Sequence, residues 1–92
     1  VPINENQLIR ETAQAAQSET LLRSIVFQAA VAAVKDEYLR TLLNSRVEDT
    51  DGREFAFQRL RAIDDIVGKL EQAVETGKLA KRQLEAQQRL DS

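Results

Sequence analysis

Apolar residues recur every three or four positions along most of this chain, the period of helices that bury one face. The clearest run is Ala56, Leu60, Ile63, Val67, Leu70 and Val74, which step by 4, 3, 4, 3 and 4. That is a heptad seam. It predicts a helix over 53–90, with Leu60, Ile63, Val67, Leu70 and Val74 as an interaction seam. Phe55, Phe57 and Ile66 widen the apolar surface. The next seam position is Gly77 and the one after it Lys81. The seam is therefore expected to fail at residue 77 and to resume weakly at Leu84.

Residues 25–44 are the most apolar segment. Phe27, Ala30, Val31, Val34, Tyr38 and Leu42 share one helical face, and Ile25, Ala29, Ala32, Leu39 and Leu43 a second. A helix apolar on two faces is expected to lie between neighbours. The alanines at 29, 30, 32 and 33 would let another backbone come close. A first helix over about 5–22 is thinner, with Leu8, Ile9, Ala13, Ala16 and Leu22 as its apolar positions and Thr12 and Ala15 alongside. Asn4 or Asn6 can cap it, and residues 1–4, which hold Pro2, are expected to run extended.

Two interruptions separate these helices. Ser24 stands directly before Ile25, Val26 and Phe27. It reads either as a solvent-facing serine within a helix or as the N-cap of a second one. Residues 45–52 form an acidic loop without periodicity. Asp51-Gly52-Arg53-Glu54 fits a capping box, which satisfies free N–H groups at a helix start. A continuous helix from 53 to 90 would be roughly 57 Å long, against a radius of gyration near ~12 Å for a compact chain of this size. Either Gly77 ends the helix and residues 78–90 turn back, or the helix continues and its overhang packs on another chain. The predicted architecture is all-α: one domain over 1–92, a three-helix antiparallel hairpin or bundle with a long C-terminal helix, broken or unbroken at Gly77.

Composition supports helices and removes much chemistry. Of 92 residues, 42% are apolar but only one Tyr and three Phe are aromatic, fewer than strand-rich domains carry. Cys, His, Met and Trp are absent. Disulfides, thiolate and imidazole metal ligands and every Ser-His-Asp triad are excluded. Three Gly and one Pro leave little for phosphate-binding loops, and no such motif is present. No apolar run reaches the ~20 residues needed to span a bilayer, and no basic-then-apolar stretch predicts a secretory leader. No membrane partner is expected. The net charge of −2, from 13 basic and 15 acidic residues, argues against sequence-specific nucleic-acid binding by the isolated chain.

The remaining candidates for chemistry are few. Asp36/Glu37 and Asp64/Asp65 are adjacent on helices and point about 100° apart. Glu37 and Asp64 could meet across helices around a divalent cation, but a solvated polar face is the simpler reading. Asp49, Thr50 and Asp51 make an incomplete calcium loop. Tyr38 fits a core position with its hydroxyl at the rim. Lys78, Lys81, Arg82 and Arg89 cluster near a helix C-terminus, where cations offset the helix dipole. Their second reading is a contact with phosphate or an acidic partner. No catalytic residue, metal, cofactor or small-molecule substrate is expected.

The loop Asp49-Thr50-Asp51-Gly52-Arg53-Glu54, followed by Leu60, Ile63, Leu70 and Gly77-Lys78-Leu79-Ala80, resembles the C-terminal half of short all-helical proteins of tailed bacteriophages. These are encoded among virion-assembly and DNA-packaging genes. The resemblance spans roughly residues 22–84. Members often have a proline after the position matching Ser24, where this chain has Ile25. The resemblance implies no catalytic residues. It implies a virion or packaging setting, in the host-cell cytoplasm or the virion, with phage structural proteins as partners.

The leading reading is a non-enzymatic helical protein–protein interaction module that forms a homo-oligomer, binds phage structural proteins, or both. The alternatives are an oligomeric packaging component resembling a small terminase and a small acidic inhibitor of a host protein.

Overall fold

The computed structural model describes residues 4–91. Three helices, α1 (Glu5–Arg23), α2 (Ile25–Asn44) and α3 (Thr50–Asp91), contain 92% of them. No strand occurs among the described residues, so the fold is all-α with a long C-terminal helix. The extended stretch expected around Pro2 lies outside the described residues.

Each helix start has a side chain that explains it. The Gln7 N–H donates to Asn4 Oδ1 at 3.2 Å, so Asn4 rather than Asn6 caps α1. Ser24 has extended backbone, with φ −64° and ψ 123°, and its Oγ accepts from the Phe27 N–H at 3.2 Å. The helical path is broken there, and Ser24 is the N-cap of α2. α2 ends at Ser45, whose hydroxyl donates to the Leu42 carbonyl at 2.7 Å.

α3 begins at Thr50, three residues before the expected start. The capping residue is Asp49, not Asp51: the Gly52 N–H donates to Asp49 Oδ1 at 2.9 Å. Gly52 suits the third helical position because a Cβ there would crowd the Asp49 carboxyl, 2.7 Å from its Cγ. The connection into α3 is held from within the helix as well. The Arg53 guanidinium donates to the Val47 carbonyl at 2.8 Å and also to the Arg46 carbonyl. The loop is thus shorter and better organised than its composition implies.

α3 runs through Gly77 without interruption. The alternative in which residues 78–90 turn back is thereby removed. Glycine's helix penalty of ~1 kcal/mol is small beside the packing on either side of it.

The chain forms two compact units. The first holds α1 up to Leu22 together with α3 from Lys69 onward. On α1, Leu8, Thr12, Ala15, Glu19 and Leu22 are the covered or half-covered row, stepping by 4, 3, 4 and 3. Ile9, Ala13 and Ala16 are exposed, a correction to the face expected from sequence. On α3 the covered row is Val74, Gly77, Ala80, Leu84 and Gln87. The seam does not fail at residue 77: Gly77 and Ala80 are buried, and Lys81 is exposed. The row takes two successive three-residue steps, 74 to 77 to 80, which shifts it off Lys81.

The second unit spans Arg23–Gly68, which pairs α2 with the first part of α3. Phe27, Val31, Tyr38 and Leu42 of α2 are half-buried, as are Leu60, Ile63 and Val67 of α3. Ala56 is fully buried. The Tyr38 and Phe55 rings meet edge to face, with centroids 6.2 Å apart. Lys35 Nζ meets Asp64 Oδ1 at 2.8 Å. No residue of α2 is fully buried.

Candidate functional site

α2 carries apolar residues on more of its circumference than α3 covers. The inward row is the one built around Phe27, Val31, Tyr38 and Leu42. A second row, Ile25, Ala29, Ala32, Asp36, Leu39 and Leu43, steps by 4, 3, 4, 3 and 4 and is exposed at every position. Ile25 is 82% and Leu43 83% exposed. Val26, at 80%, flanks the row. The expectation that α2 lies between neighbours is met on one face only. Within the α2–α3 unit the outer face is left exposed.

The single charge in this row is Asp36. It is paired along the helix with Arg40, whose Nη2 lies 3.0 Å from Asp36 Oδ2. Both side chains are largely exposed, so the pair adds only a few tenths of a kcal/mol. It neutralises the one carboxylate in an otherwise apolar line.

A second apolar surface lies in the same unit. Phe27, Ala30, Val31 and Val34 of α2 and Ile63, Ile66 and Val67 of α3 line a shallow groove of about 210 Å³. Every lining side chain is apolar, and the groove offers no polar group that could orient a substrate. Ile66 is 60% exposed beside it.

The expected interaction seam is split by the fold. Leu60, Ile63 and Val67 are half-buried in the α2–α3 unit, and two of them border the groove. Leu70 and Val74 are half-buried in the unit that contains α1. Near the start of α3 the guanidinium of Arg59 sits 4.7 Å from the Phe55 ring centroid, and that of Arg61 lies 5.9 Å from Phe57. These arginines partly cover the two half-exposed rings. Arg61 is engaged with Phe57, and Lys69 Nζ reaches Gln72 Oε1 at 3.5 Å.

The basic cluster is dispersed along the helix. Lys78, Lys81, Arg82 and Arg89 are all exposed. Lys78 pairs with Glu75 at 3.3 Å. The acidic candidates do not converge either. Asp64 is engaged by Lys35, Asp49 caps α3, and among the described residues no cluster of three acidic groups could hold a metal ion. Among the same residues no helix is long and apolar enough to cross a membrane.

Sequence reasoning found the outer row of α2 by its period. It missed Val26 beside the row and the groove, because the groove depends on which flank of α2 meets which flank of α3. Compared with known proteins, the chain matches no family model, no curated protein and no solved structure.

Proposed function

We propose that this chain is a non-enzymatic helical protein–protein interaction module serving virion assembly, or head and DNA packaging, in a tailed bacteriophage. The observation that supports the interaction reading is the outer face of α2. Single exposed apolar residues are ordinary on a protein surface. A row of five at heptad spacing, extending from Ile25 to Leu43 with its one carboxylate internally neutralised, is the form of a helix that packs on another helix. The composition, without Cys or His, favours a binding role over catalysis. The phage setting rests on the resemblance carried by residues 22–84, and it makes the host cytoplasm and the virion the places of action.

The test follows the chain in infected cells. A tagged chain should sediment with capsid or packaging intermediates. A variant carrying both Ile25→Asp and Leu43→Asp should remain helical but leave those particles. A chain that never associates with particles at any stage of infection would overturn the assembly reading.

A further inference from the structure

We infer that α2 pairs with α2 of a second copy of this chain, running antiparallel about a two-fold axis that passes between Ala32 and Asp36. This rests on the interaction reading above and names its partner and register. The outer row has six positions: Ile25, Ala29, Ala32, Asp36, Leu39 and Leu43. Antiparallel pairing about that axis sets Ile25 against Leu43 of the second copy, Ala29 against Leu39, and Ala32 against Asp36. Each central pair joins a small residue to a larger one. The leucine therefore fills the space that alanine leaves, and the helices can approach closely without voids.

The parallel alternative is poorer on the same residues. It would set Asp36 against Asp36, two like charges at the centre of an apolar seam. It would also set Ala29 on Ala29 and Ala32 on Ala32, which leaves gaps on the axis. In the antiparallel register each Asp36 faces a methyl group and keeps its Arg40 partner, 3.0 Å away along its own helix. The helix dipoles also oppose each other, which is favourable.

The area agrees with a dimer. The exposures of Ile25, Val26, Leu39 and Leu43 are 82%, 80%, 46% and 83%. Buried in full together with the two alanines, the row and the flanking Val26 would remove at most on the order of 600 Å² per copy, or about 1,200 Å² for a pair, which reaches only the lower edge of stable interfaces and fits a weak dimer. The result is a reversible, concentration-dependent dimer with closed symmetry.

The chain has no cysteine, so introduced thiols report without background. Ala29→Cys and Leu39→Cys are made separately; both sites are exposed, and circular dichroism confirms that each variant stays helical. Equimolar chains are mixed, equilibrated and oxidised. The mixture should give about tenfold more cross-linked dimer than either variant alone, since only Ala29 and Leu39 face each other within disulfide reach. Two copies of Ala29→Cys are offset by roughly 15 Å along the axis. Dimers of Ala29→Cys alone, matching the mixture, would establish parallel pairing and overturn the register. Preferential cross-linking of Ala29→Cys to Ile66→Cys would place the row in the groove of a neighbour and overturn the two-fold. A monomeric mass for the unmodified chain across about a hundredfold dilution would overturn self-pairing altogether. Particle association in infected cells is read separately, so the assembly reading can survive that failure.

Discussion

A Cβ placed on Gly77 would overlap the Cβ of Ala15 and lie 2.9 Å from the carbonyl oxygen of Glu11. Within the unit that joins α1 to the end of α3, the two backbones touch where both side chains are smallest. α1 has few large apolar residues to bury. Close approach substitutes for them, because dispersion contacts accumulate when backbones come within van der Waals range. Gly77 weakens α3 locally and is the place where α1 can seat.

Replacing Gly77 with alanine should therefore destabilise the protein, although alanine is the better helix former. Propensity returns up to ~1 kcal/mol, while an overpacked contact costs ~1–3 kcal/mol. A net loss near ~1 kcal/mol lowers the melting temperature by about 4–8 °C in a chain of this size. Gly68→Ala is the matched control. A Cβ there meets nothing within 4 Å, so only the propensity gain of ~1 kcal/mol remains and the melting temperature should rise. Thermal melts of both variants followed at 222 nm decide the matter. A rise for Gly77→Ala equal to that for Gly68→Ala would show that Ala15 does not constrain the site.

Periodicity located the α2–α3 packing because Phe27, Val31, Leu60, Ile63 and Val67 are large and regularly spaced. The same reasoning misplaced the contacts of α1. There the inward row is Leu8, Thr12, Ala15, Glu19 and Leu22, in which only two residues are strongly apolar. A hydrophobicity count prefers Ile9, Ala13 and Ala16, which are exposed. Steric fit at Gly77 outweighs hydrophobicity in this unit, and fit is not visible in a one-dimensional pattern. The capping error at α3 has a similar origin. Asp49 and Asp51 are both acceptable N-caps, and spacing to Glu54 favoured the second. The tertiary setting favours the first: the Gly52 N–H donates to Asp49 Oδ1, the Arg53 N–H to the Asp49 carbonyl, and the Arg53 guanidinium to the Arg46 and Val47 carbonyls just before it, none of which a residue spacing displays. The outer row of α2 was legible by period, and only its exposure needed the structure.

The two aspartates before α3 should separate cleanly by mutation. Asp49→Ala removes the acceptor for the Gly52 N–H and should cost ~1 kcal/mol. Asp51→Ala removes only a favourable dipole interaction in the first turn, ~0.3–1 kcal/mol and screened by salt. Urea melts at low and high salt test this. The Asp49→Ala deficit should persist in salt and the Asp51→Ala deficit should shrink. Equal, salt-insensitive losses would contradict the assignment of the cap.

Val67 and Ile66 are neighbours on α3 with different surroundings. Val67 is half-buried beside Phe27 and Val31, and Ile66 stands 60% exposed at the groove edge. Val67→Asp places a carboxylate against apolar side chains with no partner and should cost roughly 2–3 kcal/mol. Ile66→Asp should change stability by about 0.5 kcal/mol or less, as surface substitutions do. Denaturant midpoints of the two variants provide the comparison. Similar midpoints would mean that the α2–α3 contact does not shield Val67 from water.

The isolated chain should not bind duplex DNA with sequence specificity. Between residues 75 and 91 the four cations Lys78, Lys81, Arg82 and Arg89 are interspersed with three carboxylates, Glu75, Glu85 and Asp91. Lys78 is already paired with Glu75 at 3.3 Å. The segment therefore carries little net charge toward a phosphate backbone, and the whole chain is negative at −2. Affinity of the nonspecific kind falls as counterions compete, with a slope set by the number of phosphates neutralised. Four cations weakened by three nearby anions can support only a shallow slope from a weak starting affinity. Gel-shift titrations from low salt upward should show any retardation disappearing well below ~200 mM. A shift that persists above that concentration and distinguishes between duplex sequences would require base contacts, and would favour DNA reading over the proposed assembly role.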